Sequence, residues 1–198
     1  MARSVDVLGG ATLVLTTTLR ALRSIAQGLQ LHFESRDDIE VLVQGEAPKR
    51  RLMDRFREGR SQGGAGCVLV ASASFWEGFD VPGDALQLVV IDKLPFPPPG
   101  DPLVEARLAR LEALGRSGFS DYSVPEAAIA LKQGAGRLIR RESDQGLLVV
   151  CDTRLVTMGY GRRLLTALPP MAHLETEEAY LEQLRMLQAA TRASTTAW

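Results

Sequence analysis

Five apolar runs punctuate the chain: "TLVLT" (Thr12 to Thr16), "EVLVQ" (Glu40 to Gln44), "CVLVAS" (Cys67 to Ser72), "LQLVVID" (Leu86 to Asp92) and "GLLVVCD" (Gly146 to Asp152). They are continuous rather than alternating, which is how strands buried on both faces of a parallel sheet read. Between them apolar residues recur at helical spacing over Leu19 to Leu29, Pro48 to Arg57, Pro102 to Leu114, Val124 to Arg140 and Arg154 to Leu165. Strands alternating with helices predict a three-layer, doubly wound α/β fold, a mainly parallel sheet with helices on both faces. The punctuation agrees. Asp101 before Pro102 reads as an N-cap with proline at the first helical position, and Gly115 closes that helix. Ser123 and Glu126 have the spacing of a capping box for the next helix. A final helix, Thr176 to Ala190, sets Tyr180, Leu184 and Leu187 on one side with Leu181 adjoining; it packs on the domain or on a partner, and the domain is favoured. "RSQGGAG" (Arg60 to Gly66) reads as a flexible loop rather than a domain linker.

Composition narrows the class. A chain of 198 residues that is 45% hydrophobic can build a core of its own. A formal net charge of -1 argues against a protein held to nucleic acid by bulk charge, although a local basic strip is compatible with it. Among the basic residues only Lys49, Lys93 and Lys132 are lysines. The rest are arginines, whose planar fork suits phosphate or carboxylate. Cys67 and Cys151 each sit in an apolar run without CxxC spacing, and both read as buried strand residues rather than as zinc ligands or a disulfide. No apolar stretch approaches the ~18 to 20 residues of a bilayer span, and no signal-peptide pattern opens the chain. The expectation is a cytoplasmic protein without a membrane partner.

Candidate chemistry follows from the rule that ligands of open α/β sheets lie beyond the carboxyl ends of the strands. That rule points to "TTT", "GEAPKR", "ASFWEGFDVPGD", "KLPFPPPGDP" and "DTR". "LTTTLRA" places Thr16, Thr17 and Thr18 where a helix begins; hydroxyls and free amides there suit a phosphate, and simple N-capping uses the same residues. In "ASFWEGFDVPGD", Glu77 and Asp80 flank Gly78 and could hold a ribose hydroxyl, a metal-bound water or an arginine of a neighbouring helix. Phe75 and Trp76 could stack on bases, but rings beside a buried strand are read as core. "KLPFPPPGDP" reads as a structural brace at the sheet's edge. His32 and His173 have no ligand or base partner in sequence.

"QGAGRLIRR" (Gln133 to Arg141) packs two glycines among three arginines. On a continuing helix, with Gln133 at zero, Arg137 falls near about 40° and Arg140 near about -20°, making one polar ridge. Leu131, Ala135, Leu138 and Ile139 then face the sheet, and Gly136 flanks the ridge without bulk so that another surface can approach. A kinked helix with solvated arginines is the competing reading. The GxxxxGK[ST] phosphate loop is absent, and no Asp-Glu-Ala-His-type acidic box ends a strand.

"SFWEGFDVPGD" (Ser74 to Asp84), "IDKLPFPPPGDP" (Ile91 to Pro102) and "QGAGRLIR" (Gln133 to Arg140), in that order, closely resemble the second motor domain of DinG/YoaA-like helicases, bacterial relatives of XPD in helicase superfamily two. "LVLTTTLRAL" (Leu13 to Leu22) resembles the family's fourth motif and "GLLVVCDTRL" (Gly146 to Leu155) its final strand; Phe79 stands where many relatives have valine. The resemblance implies a RecA-like fold and ATP hydrolysis, with Mg2+, coupled to 5′ to 3′ travel along single-stranded or forked DNA in replication or repair. It assigns Gln133, Arg137 and Arg140 to the sixth motif, the two arginines meeting the ATP phosphates across a cleft between two motor domains. Glu77, Gly78 and Asp80 fall in the fifth motif, which links the nucleotide site to DNA and sits beside Gly136 in the coupling set. Thr17, Thr18 and Ser74 are assigned to DNA.

The family's first motor domain, with its phosphate loop and four-cysteine iron–sulfur site, has no counterpart in these 198 residues, which hold no cluster site of their own. The expectation is one C-terminal motor domain, its core about 11–168 with a helical tail over 169–198, belonging to a larger helicase and inactive alone. Its partners would be DNA, the first motor domain and repair or replication proteins. The alternative is a degenerate, non-catalytic module that binds single-stranded nucleic acid or protein.

Overall fold

The computed structural model describes residues 1–59, 64–72, 75, 85–139 and 144–195, with side chains to residue 190. The elements, in chain order, are α1 (Ala2–Leu8), β1 (Thr12–Thr16), α2 (Leu19–Phe33), β2 (Ile39–Val43), α3 (Lys49–Glu58), β3 (Gly66–Ser72), β4 (Leu88–Ile91) and α4 (Pro102–Ala113). A π-helical turn (Phe119–Ser123) leads into α5 (Val124–Ala135), followed by β5 (Leu147–Val150), α6 (Arg154–Thr157), α7 (Gly161–Ala167) and α8 (Glu177–Thr195).

The strands form one all-parallel sheet in the order β2-β3-β1-β4-β5. Register sorts the apolar runs into two faces. Leu42, Leu69, Leu13, Val89 and Leu148 make a row across the sheet, and the next residues along, Val43, Val70, Val14, Val90 and Val149, make a row on the opposite face. The leucine face is covered by Leu52, Met53 and Phe56 of α3, Val124, Ala127 and Leu131 of α5, and Leu164 of α7. The valine face is covered by Val5 and Leu8 of α1, Leu22, Ala26, Leu29 and Phe33 of α2, and Leu184 and Leu187 of α8. Two apolar faces need two helical layers, so the expected three-layer α/β fold is the one observed.

Several elements depart from the sequence reading. β5 is an edge strand, half-buried at all four positions, so Cys151 at its end is exposed rather than buried; Cys67 is buried as expected. Ser123 makes no capping bond, because the chain enters α5 from the π-helical turn and Ser123 already has helical dihedrals; the capping box does not form. Asp101 does cap α4, its Oδ1 accepting the N–H of Leu103 at 2.8 Å and of Val104 at 3.3 Å. The helix expected over Arg154 to Leu165 is two helices, broken at Met158 to Tyr160. The loop "RSQGGAG" lies largely outside the described residues.

The short helix α1 has too few residues to show a helical period in sequence. Gly10 carries the chain from α1 into β1 with φ +101°, and a Cβ there would sit 2.6 Å from the Cys67 amide nitrogen, so only glycine fits. The tail helix docks as favoured. Tyr180 donates its hydroxyl hydrogen to Ser4 Oγ at 2.9 Å, and Gln87 Nε2 donates to the Leu187 carbonyl at 3.3 Å.

Leu184 is fully buried between α8 and the valine face. Leu184→Ala is expected to cost ~2 to 5 kcal/mol in urea denaturation, since a cavity is added to the lost transfer energy. A loss below ~1 kcal/mol would show that α8 is not docked in solution.

Candidate functional site

The connection leaving β1 runs towards β2 at one edge, and the connection leaving β4 runs towards β5 at the other. The chain therefore diverges between the carboxyl ends of β1 and β4, the point at which open α/β sheets form a ligand crevice. Thr16, Thr17 and Thr18 occupy the β1 side. Thr16 is buried, with its Oγ1 3.3 Å from both the Ala71 and Thr18 carbonyl oxygens. Thr18 is the N-cap of α2, and its Oγ1 accepts the Ala21 N–H at 3.1 Å. The capping reading thus holds for Thr18.

A carboxylate that spacing alone did not single out sits across this crevice. Asp92, following β4, accepts the Thr17 N–H on Oδ1 at 2.9 Å, while its Oδ2 is buried with no hydrogen-bond partner among the described residues. Burial pushes the Asp92 carboxyl above its ordinary range, against the opposing pull of the Thr17 and Lys93 N–H groups. The Thr17 amide is therefore taken, and an incoming phosphate would meet the first-turn amides of Leu19 and Arg20. At the neighbouring strand ends, Gln44 Oε1 accepts both the N–H of Ser72 (2.7 Å) and its Oγ–H (3.0 Å). Lys49 Nζ stands 4.9 Å above the buried Phe75 ring. Phe75 is core, as read; Trp76, Ser74, Glu77, Gly78, Phe79 and Asp80 lie outside the described residues.

The end of β5 carries a second overlooked carboxylate. Asp152 is buried; its Oδ2 accepts the Leu94 N–H at 3.0 Å, its Oδ1 accepts the Arg154 N–H at 3.1 Å, and Arg154 Nη2 donates to Oδ2 at 2.7 Å. The Arg154 guanidinium, joined by these two backbone N–H groups, holds the Asp152 carboxyl well below the usual carboxylate range. This clamp ties the connector after β4 to the end of β5. With Leu94 and Pro95 buried, "KLPFPPPGDP" does brace the sheet. In both cases an aspartate directly ends an apolar run, but the partner it binds is not readable from spacing.

The arginine-rich motif lies elsewhere. Helix α5 stops at Ala135, and the chain tightens into a turn in which Arg137 N–H donates to Gly134 O (3.2 Å) and Leu138 N–H to Ala135 O (3.1 Å). Two glycines weaken the helix here, and the turn lets Leu138 bury over Gly146. Arg137 is therefore past the end of the helix, so the helical register that would align it with Gln133 is not kept. Ile139 is exposed rather than packed on the sheet, whereas Leu131, Ala135 and Leu138 are buried as expected. Gln133 and Gly136 are exposed, Arg137 is half-buried, and Arg140 lies outside the described residues.

Leu138 packs over Gly146, just before β5, and Gly146 also adjoins the Gln87 carbonyl, just before β4, so this turn stands at the amino end of the sheet. Thr17 and Thr18 stand at the carboxyl end. The structure brings Gln133, Gly136 and Arg137 together and separates them from the threonines by the length of the sheet, ~15 Å for a five-residue strand. Among the described residues no three His, Cys, Asp or Glu side chains converge as metal ligands, and no helix is long and apolar enough to cross a membrane. His32 pairs with Asp6 at 3.2 Å on the surface.

Residues 1–171 match the model of the helicase C-terminal domain family. The ATP-dependent DNA helicase YoaA of Haemophilus influenzae is 45% identical over 161 residues, covering 81% of this chain and 24% of that protein. The ATP-dependent helicase DinG of Mycobacterium tuberculosis is 36% identical over 190 residues, covering 96% of this chain and 27% of that protein. The chain thus spans about a quarter of the length of these curated relatives. Among solved structures, Xpd4 of S. tokodaii superposes with a TM-score of 0.55 at 20% identity, over 86% of this chain and 32% of that one, which supports the RecA-like form of the three-layer fold.

The carboxylate clamp sets a pH dependence. A carboxyl lowered on folding adds stability in full above its unfolded value of about 3.9, and that stability is lost as pH falls through the folded value. Asp152→Asn is expected to lose ~1.5 to 3 kcal/mol at neutral pH. In urea titrations the gap to wild type should narrow as pH drops below about 3.9, and a pH-independent gap would contradict the assignment.

Proposed function

The chain belongs to the helicase C-terminal domain family, and from that premise we propose that it is the second motor domain of a DinG/YoaA-type, ATP-dependent DNA helicase acting in replication or repair. The observation that supports this reading is that, among the described candidates, Gln133, Gly136 and Arg137 lie at one end of the sheet and Thr17 and Thr18 at the other. Gln133, on the last turn of α5, and Arg137, in the turn that follows, lie at the amino end, where the exposed Gly136 leaves room for another surface, and Arg140 follows them in sequence. We assign these residues to the γ-phosphate of ATP held, with Mg2+, by the first motor domain of the same helicase.

In phosphoryl transfer, negative charge spreads over the transferred group. A guanidinium supplied from a second domain neutralises that charge without being deprotonated. Gln133 would orient the attacking water or the arginines. At the carboxyl end, Thr17, Thr18, Ser74 and the first-turn amides of α2 would hold the DNA backbone, and Glu77, Gly78 and Asp80 would relay nucleotide state between the two ends. A sheet whose central strands are wholly buried can transmit such a displacement as a rigid body. An iron–sulfur cluster, where the helicase carries one, would belong to the first motor domain.

Arg140→Ala in the complete helicase should lower DNA-stimulated ATP turnover by roughly a thousandfold or more while leaving the domain's thermal melting unchanged. Retained turnover would refute the arginine assignment. The purified 198-residue chain alone should neither hydrolyse ATP nor bind it tightly. Steady turnover by the chain alone would overturn the two-domain site.

A further inference from the structure

Beyond the carboxyl ends of β4 and β5, three aromatic rings from separate segments meet. Phe96, in the connector after β4, lies 5.5 Å from Phe119 at the start of the π-helical turn and 5.6 Å from Tyr160, which precedes α7; Phe119 and Tyr160 are 5.2 Å apart. Tyr160 meets both phenylalanines edge to face, and Phe96 and Phe119 are tilted by 33°; such contacts fix ring positions. Rings used only for packing would be buried, yet Phe119 is 45% exposed and the adjoining Met158 is 48% exposed. The platform is also cationic. The Arg154 guanidinium lies 5.7 Å from the Phe96 ring centre, held by Asp152, and Arg162 and Arg163 are exposed in the first turn of α7 directly after Tyr160. Asp121 is paired with Arg116 and Asp152 with Arg154, so the net positive charge of the rim comes from Arg162 and Arg163.

A preformed aromatic surface beside fixed arginines suits a partner with flat rings and a phosphate backbone. A peptide would gain nothing from that cationic rim unless it were acidic. We propose that the Phe96–Phe119–Tyr160 cluster is a stacking platform for an unpaired base of single-stranded DNA, with Phe119 as the contacting ring and Arg154 as the adjacent cation. This rests on the DNA reading above and extends it from the phosphate grip at the end of β1 to a base contact two strands away, ~10 Å across the sheet. Stacking of this kind is tolerant of sequence, because every base offers a π face.

Fluorescence anisotropy of the full chain with labelled oligothymidylate, and with an abasic phosphodiester of equal length, separates stacking from phosphate contact. Wild type should prefer the thymidylate. Phe119→Ala should weaken thymidylate binding by roughly 5- to 150-fold and leave abasic binding unchanged, and Phe119→Trp should retain both. Phe119→Leu, which keeps an apolar side chain, should lose the preference as Phe119→Ala does. Unchanged thymidylate binding by Phe119→Ala would overturn the platform while leaving the phosphate grip standing, and would leave the patch to a protein partner. Equal loss on both oligomers would mark the ring as structural and overturn the platform as well. Failure of wild type to bind either oligomer would overturn the DNA reading itself, and the platform with it.

Discussion

Everything in this domain is hung on the central strand β1, which is buried at all five residues and hydrogen-bonded on both edges, to β3 and to β4. A parallel strand in that position has no solvent-facing side, so each of its faces must be covered by a separate apolar layer. Leu13 and Leu15 are met by the α3, α5 and α7 side, Val14 by the α1, α2 and α8 side. Because β1 sits where the chain reverses its winding, the loops on either side of it diverge and leave a crevice. The same constraint that builds the core thus leaves polar atoms at the strand ends, where Asp92 binds the Thr17 amide.

The sheet also separates candidate motifs. Among the described residues, Gln133, Gly136 and Arg137 stand at one end of a stiff object and Thr17 and Thr18 at the other. The turn that carries Arg137 is formed by a helix that gives out at its glycines and a leucine that buries over Gly146 just before β5. The threonine cap and the aromatic cluster belong to the opposite end. On the proposed reading, with nucleotide at one end and DNA at the other, such a division is useful, since rigid packing carries displacement without deforming.

Much of this was legible in the residues. The five apolar runs mark the strands to within two residues at each end, because burial on both faces leaves no room for polar residues. Asp101-Pro102 marks the start of α4 because proline lacks the amide that a first helical position has no partner for. What could not be read followed from tertiary context. The π-helical turn before α5 has no local signature and displaces a capping box whose spacing is correct. The helix through Gln133 ends early because Leu138 finds a buried site that only the assembled sheet provides. β5 reads as a strand buried on both faces, but its place at the edge leaves Cys151 exposed. Candidate site residues were legible as motifs, whereas Asp92 and Asp152 were not, because their partners, Thr17 and Leu94, are brought to them only by the sheet.

The central claim is that this domain supplies half of an ATPase site whose other half is a phosphate loop on a different domain. Titrating the chain into a separately expressed first motor domain of its helicase, with ATP, Mg2+ and single-stranded DNA present, measures this most directly. The account predicts that turnover rises saturably with added chain from a negligible baseline. Turnover that is already complete without the chain, or that stays flat as it is added, would contradict it.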